Sequence, residues 1–338
     1  MRRFDYVRAE TVDQAVQALA AVADARALAG GTNLVDLMKY DVARPTRVVD
    51  INRLPLHEIE ETAEGGLKIG ALVTNSALAW DARVVKRYPL LASAILAGAS
   101  PQLRNAATTG GNLLQRTRCY YFYDALTPCN KREPGSGCSA LHGVNRINAI
   151  LGTSDSCIAT HPSDMCVALA ALDAVVHVTG PDGMRTIAFA DFHRLPGDEP
   201  QFDNTMRHGE LITAVELPPS DFGSHHTYLK LRDRLSYAFA LISVAAALKF
   251  EGGKITEARV ALGGVAHKPW RNRDAEGMLG GQVPDAASFG GFADRMLAGA
   301  RGFGHNDFKI ELARRAIGRA LAQAAAGTPQ LQSDKHIR

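Results

Sequence analysis

No run in this 338-residue chain is long and apolar enough to suggest a membrane span. The longest, around Tyr237 to Leu248, is too short and too interrupted. Charge of one sign is missing as well: 38 Lys plus Arg stand against 35 Asp plus Glu, a formal charge of +3, with no long block of like charge. That balance argues against a nucleic-acid or membrane-surface binder. The start, Met1-Arg2-Arg3-Phe4-Asp5-Tyr6, lacks the apolar stretch of a secretory signal, so cytoplasmic synthesis and folding are expected. A partner with its own export signal could still carry the folded chain elsewhere. Neither G-x-G-x-x-G nor a P-loop occurs, and neither does G-x-S-x-G. These absences disfavour a classical Rossmann nucleotide site and a serine hydrolase. His142, His161, His225, His226 and His267 form no metal-binding pair at helical spacing, and the adjacent His225-His226 reads as solvated.

Cysteine is scarce but concentrated. Of five, Cys119, Cys129, Cys138 and Cys157 fall within 39 residues, separated by nine, eight and eighteen others. In a reducing compartment such clustering favours metal over disulfides. Zinc ribbons use close C-x2-C pairs, which are missing here. Four thiolates suit an iron–sulfur cluster equally well, because its ligands can come from irregular loops. Four unrelated buried cysteines are the plainer alternative. Cys166 lies on a helix and reads as a small core residue. Arg116, Arg118, Lys131, Arg132 and Arg146 gather around the four, either as a solvated loop face or to offset the charge of a cluster.

Composition is otherwise ordinary, 46% hydrophobic and 22% charged, with length for two or three domains. Thr11-Val12-Asp13-Gln14 reads as a capping box opening a helix. Ala27-Leu28 then predicts a strand, a second helix starts near Leu34, and Val48 to Ile51 forms a buried strand. The first unit ends near residue 56. Leu67 to Val73 predicts a strand, Thr74-Asn75-Ser76 a helix cap, and Tyr88 to Gly98 a mostly buried helix. Loop-like sequence occupies about Gln115 to Thr160, long enough to need a functional explanation. A helix follows His161-Pro162-Ser163-Asp164, with Asp164 a candidate cap, and leads into a strand over Ala174 to Val178. Pro181-Asp182-Gly183 turns a hairpin, and Leu211 to Leu217 is a strand ending at Pro218-Pro219. Beyond this boundary come strands at His226–Arg232, Ala238–Phe250 and Ile255–Leu262, then three helices, the last over about Asn306 to Ala325. The tail from Gly327 is expected to be disordered.

Two glycine loops stand out. Ala29-Gly30-Gly31-Thr32-Asn33-Leu34 lies where a strand hands over to a helix, so backbone N–H groups there can approach a phosphate. Thr108-Thr109-Gly110-Gly111-Asn112 is a second such loop, about 80 residues on. Each alone is a weak signal; two of them suit a dinucleotide gripped from two sides.

In order along the chain, AGGTNL at 29–34, IGALVTNSALA at 69–79, TTGGNL at 108–113, HPSDM at 161–165, Leu169–Ala174 and ALGGVAHKPWR at 261–271 resemble the FAD-binding medium subunit of the molybdenum hydroxylases. This is the xanthine dehydrogenase and CO dehydrogenase flavoprotein family. The common family pattern runs almost directly from the glycine loop to an S-P-x-x-D element, whereas here the cysteine insert opens that join. QRTRCYYFYD, PCNKREPGSGC and RLSYAFALISVAA are similar to the periplasmic aldehyde oxidoreductase subgroup, whose FAD subunit carries an extra [4Fe–4S] cluster.

The resemblance implies an α+β fold: a two-part FAD-binding domain of the type shared with vanillyl-alcohol oxidase, and a C-terminal α+β domain of the CO dehydrogenase flavoprotein type. Expected bounds are 1–56 and 57–222 for the two parts, with the insert at about 115–160, then 223–326 and a tail at 327–338. It further implies that Ala29, Gly30, Gly31, Thr32, Asn33 and Leu34, with Thr108, Thr109, Gly110, Gly111 and Asn112, hold the FAD pyrophosphate and ribityl groups. Asp164 and Lys230 would be further flavin-site contacts, Ile212 would sit near the adenine or flavin ring, and Cys119, Cys129, Cys138 and Cys157 would ligate the cluster. Partners would be a small subunit with two [2Fe–2S] clusters and a large one with the molybdenum cofactor, where an aldehyde is oxidised. Electrons would pass through FAD to an external acceptor such as NAD, a quinone, ferredoxin or dioxygen. No acid–base triad is needed on this chain, and location would follow a twin-arginine signal on the small subunit. A self-contained FAD oxidase with a structural metal is the rival reading, disfavoured by the lack of a covalent-flavin histidine motif. A non-catalytic zinc scaffold is the third.

Overall fold

The computed structural model describes residues 1–329 and contains three sheets, each with its own helical cover. In the first, β1 (Asp5–Arg8), β2 (Arg26–Leu28) and β3 (Arg47–Asp50) run parallel in the order β1-β3-β2. The helix Val12–Ala20 connects β1 to β2. Thr11 caps it by accepting from the Gln14 amide, and Ala15, Val16 and Leu19 form its buried stripe. The Gln14 side chain accepts from Glu10 rather than Thr11, so the reciprocal half of the expected capping box is absent. Strand β1 itself has little buried apolar surface, which is why its sequence carries no strand signal.

The second sheet is antiparallel throughout: β4 (Ile59–Glu61), β5 (Leu67–Gly70), β6 (Val175–Gly180), β7 (Gly183–Ala188) and β8 (Leu211–Leu217), in the order β4-β5-β8-β6-β7. Helices Asn75–Trp80, Pro89–Ala97 and Asp164–Ala171 cover one face and fill its core. Thr74 caps the first of these, and the Gly180–Gly183 turn closes the β6–β7 hairpin.

The third sheet comprises β9 (His226–Leu231), β10 (Ile242–Glu251), β11 (Lys254–Gly263) and β12 (Trp270–Arg271), antiparallel in the order β12-β11-β10-β9. Strand β10 explains the apolar run that the sequence shows here. Side chains alternate across a strand, so Val244, Ala246 and Leu248 face the C-terminal helices Ala286–Met296 and Phe308–Ala325. Ala245 and Ala247 face the other way, into the core of the second sheet. The small residues lie where Pro89–Ala97 and Asp164–Ala171 come close. The strand begins at Ile242 rather than Ala238, where pairing with Leu231 of β9 starts; Tyr237, just before the expected start, is in the left-handed region at φ 51°.

His226 is not solvated as expected: it points into the fold and is 5% exposed, with Nδ1 on the Gly223 carbonyl. Its neighbour His225 reaches the Ala324 carbonyl at 2.9 Å. The insert has one short helix, Tyr120–Tyr123, and otherwise irregular backbone with a small core of its own that includes Leu37. The expected tail at 327–338 lies, from residue 330 on, outside the described residues.

Candidate functional site

A cleft of about 1450 Å³ runs between the first sheet, the second sheet and the loop preceding β10. Of the residues expected to hold a cofactor, Ala29 to Leu34, Thr108, Gly110, Gly111, Asn112, Asp164, Ile212 and Lys230 all line it. Thr109 does not. It is 1% exposed and donates its hydroxyl to the Val73 carbonyl, so it supports the loop from behind.

The two glycine loops differ in what they offer. Among the described residues, the N–H groups of Gly31, Thr32 and Asn33 have no hydrogen-bond partner, which leaves three donors unspent in the cleft lining. Thr109, Gly110, Gly111 and Asn112 already donate theirs to Val73, Ala71, the Thr108 hydroxyl and the Thr108 carbonyl. The second loop is therefore not bare backbone, and its contribution to the cleft is a wall with the Thr108 and Asn112 side chains. Gly30 is required by the protein itself, since a Cβ there would overlap the Ala106 carbonyl oxygen. The absence of that one methyl lets the first loop touch the helix end that leads into the second.

Buried side-chain atoms in the cleft fit a polar ligand. Asn33 Nδ2 and Asn75 Oδ1 are buried without a partner, an arrangement that costs stability unless something bonds to them. Asp164 is the first residue of its helix; the cap is Ser163, which accepts from the Cys166 amide at 3.0 Å. The expectation that Asp164 caps is thus corrected, because its carboxylate turns toward β9. There it accepts from the Tyr228 hydroxyl at 2.7 Å and from Lys230 Nζ at 2.8 Å. Lys230 also donates to the Ala97 carbonyl at 3.0 Å, so this pair joins the helix cover of the second sheet to the third.

The four cysteines are brought together from separate turns of the insert. All four line one small cavity, with Cys129 and Cys138 opposed across an isolated β-bridge. None is in a disulfide. Four sulfurs around one tetrahedral zinc would lie about 3.8 Å apart, given a Zn–S distance of about 2.3 Å. Among the described residues, the only set of three or more potential ligand atoms all within 4.8 Å of one another is His161, Cys166 and His193. No three of the cysteine sulfurs lie within 4.8 Å of one another among the described residues, a wider spread than a closed tetrahedral zinc site shows. Two donors already point at sulfur: Asn148 Nδ2 lies 3.5 Å from Cys119 Sγ, and the Ala159 amide 3.4 Å from Cys157 Sγ. Burial pushes the Cys157 thiol up to about 12, so a bound metal would have to displace its proton.

Sequence spacing gave no hint of the contact between His161 and His193, whose rings are 4.3 Å apart. His193 Nε2 donates to the Leu113 carbonyl at 2.9 Å, and the ring packs on Phe189 and Phe192. Burial pushes His193 down to about 4 and His161 well below its ordinary value, so both stay neutral in the fold. Cys166 sits beside them, fully buried, as the core residue it was read to be.

Of the five basic residues in the insert region, Lys131 is 2% exposed, which excludes a solvated role for it. Its Nζ donates to Asp203 at 2.5 Å and to the Pro200 carbonyl at 2.6 Å. Arg116 donates to the same carboxylate at 2.7 Å. Burial works against the charged form of Asp203, yet Arg116, Lys131 and His267 together hold it well below the usual carboxylate range. Arg132 donates to the carbonyls of Tyr121 and Phe122. Arg118 lies 3.7 Å from Asp36, and Arg146 pairs with Asp233 at 2.7 Å.

A nucleotide-sized cleft with free loop amides, beside a sheet-and-helix C-terminal unit, suits a protein that holds a nucleotide cofactor. Residues 2–220 match the FAD binding domain in molybdopterin dehydrogenase, and residues 226–324 the CO dehydrogenase flavoprotein C-terminal domain. The chain belongs to the family of FAD-binding medium subunits of the molybdenum hydroxylases, which are oxidoreductases. It is 51% identical over 327 residues to the aldehyde oxidoreductase FAD-binding subunit PaoB of Escherichia coli (strain K12), covering 96% of this chain and 99% of that one. It is 28% identical over 331 residues to the carbon monoxide dehydrogenase medium chain of Afipia carboxidovorans, covering 95% and 98%. Among solved structures, reconstituted CO dehydrogenase from Oligotropha carboxidovorans aligns with a TM-score of 0.75 at 26% identity, over 96% of this chain and 99% of that one. Among the described residues, no helix is long and apolar enough to cross a membrane.

Replacing Lys230 by Met keeps the stem but strands the buried Asp164 carboxylate. It is expected to cost about 3–5 kcal/mol in urea unfolding, with part regained when Asp164→Leu is added. Equal losses in the single and double variants would contradict a buried ion pair. The histidines give a pH dependence. Below the ordinary imidazole value of about 6.5 the unfolded chain takes up protons that folded His161 and His193 refuse, so stability is full above about pH 6.5 and falls as pH drops toward 4. The slope approaches about 1.4 kcal/mol per pH unit for each imidazole, and unfolding midpoints at pH 7 and pH 5 should show it shrinking in His193→Gln.

Proposed function

We propose that this chain is the FAD- and [4Fe–4S]-carrying electron-transfer subunit of a molybdenum-dependent aldehyde oxidoreductase. The observation that carries the reading is the ring of four cysteine thiols around one cavity, in a chain 51% identical to a subunit named as the FAD-binding part of an aldehyde oxidoreductase. FAD would occupy the cleft, its pyrophosphate on the N–H groups of Gly31, Thr32 and Asn33, with Thr108 and Asn112 toward the ribityl chain. Asp164, Lys230 and Ile212 would complete the far wall. Cys119, Cys129, Cys138 and Cys157 would ligate the cluster. Bound flavin would take up electrons singly or in pairs and a cluster would exchange them singly, while the protein supplies position and electrostatics.

The work of this chain's own residues is then to hold and to exclude. Asn33 stays fixed through its Oδ1, which accepts from the Arg116 amide at 3.0 Å, leaving Nδ2 free for the ligand. Asn148 and the Ala159 amide donate to the sulfurs of Cys119 and Cys157, the kind of contact that tunes a cluster. The aldehyde would be oxidised on a large molybdenum-cofactor partner, with a small [2Fe–2S] partner between, in a heterotrimer that reduces an external acceptor. A twin-arginine signal on the small partner would make that assembly periplasmic.

Iron, acid-labile sulfide and flavin measured on the anaerobically purified chain should give about four irons and about one FAD. A Cys129→Ser variant should lose the iron and keep the flavin. Zinc in place of iron, or iron unchanged in the variant, would refute the cluster assignment.

A further inference from the structure

One side chain belongs to both cavities. Lys131 lines the cysteine cavity and the cleft, and it is the residue that the two linings share. Its side chain is 1% exposed, and its Nζ is fixed at two points, on Asp203 and on the Pro200 carbonyl. Asp203 does not cancel that charge alone, because the same carboxylate takes Arg116 at 2.7 Å, and Arg116 also lines the cleft. Two permanent cations against one carboxylate leave a net positive charge in the wall between the sites. His267 Nε2, 3.6 Å from Asp203, stays largely neutral because burial lowers its pKa to about 4.

We propose that the Lys131 ammonium, fixed by Asp203, sets the reduction potentials of the cysteine-held cluster and of the flavin together. The inference rests on the cofactor assignment above. An electron added on either side makes that site more negative with no bond made or broken in the protein, and a buried cation between the two favours both reduced forms. Lys131 is a positioning residue in this role. Asp203 sets how much of its charge is felt, and Arg116 carries the same carboxylate to the cleft.

The test is a potentiometric titration of the full chain with its cofactors, following the cluster by electron paramagnetic resonance and the flavin by absorbance. In Lys131→Met the cluster's reduction equilibrium is expected to move about tenfold toward the oxidised form, 59 mV for one electron. The flavin moves in the same direction, and Lys131→Arg restores both. Asp203→Asn should shift both the opposite way, a sign reversal that loosened packing would not produce. If Lys131→Met loses its iron, the Asp203→Asn arm decides, and an unmoved or negative shift there overturns the proposal. Full iron and flavin with unmoved potentials overturns this proposal alone. A wild-type chain without iron overturns the cofactor assignment, and this inference with it.

Discussion

Backbone outside helices and strands must still satisfy its N–H and C=O groups, and the cysteine insert is the place where that constraint governs the rest. Its partners are side chains of its own and from distant parts of the chain. Asn145 donates to the Ala140 and Phe303 carbonyls, and Asn306 to those of Asn148 and Ala149. Lys309, at the start of the last helix, donates to Asn148 and Gly264. Burial, with the Arg146 charge nearby, lowers Lys309 to about 7, the cost of placing an ammonium among carbonyls without an acidic partner. The amides of Ile150 and Leu151 share the Val265 carbonyl, so the insert is sewn to the third sheet. The C-terminal unit therefore positions the cysteines, although it contributes none of them.

The cleft is organised in the same way, by contacts between elements remote in sequence. The loop after β2 supplies the free amides, the second sheet supplies the wall through Ile212 with Gly110 from the neighbouring glycine loop, and the third sheet reaches in through Lys230. Asp164 and Asp203 are the two carboxylates at which these parts meet. Asp164 holds β9 against the helix that follows the insert, while Asp203 holds the insert against the loop before β8. Both carry cations that would be expensive to bury without them.

Much of the architecture was legible in the residues. The strands β6 and β8, the Gly180–Gly183 turn and the caps at Thr11 and Thr74 are local features, and each formed close to where its sequence predicts. Where the reading failed, a long-range contact had intervened. His226 looks like half of a polar pair, yet β9 places it inside. Asp164 looks like a cap, yet Tyr228 and Lys230 draw its carboxylate away and leave Ser163 to do the capping. Thr109 looks like a ligand donor, yet its hydroxyl is taken by Val73.

By itself the sequence determined the order of the segments, the family to which they belong and the four thiols in one short stretch. Those properties are carried by residue type and spacing along the chain. Only the tertiary structure decided that Gly30 is there for the Ala106 carbonyl, that the amides of one glycine loop are free and those of the other are not, and that His161 meets His193. It alone put Lys131 in the wall between two cavities. Hydrogen bonding and burial depend on which distant atoms arrive at a residue, and no local pattern encodes that arrival.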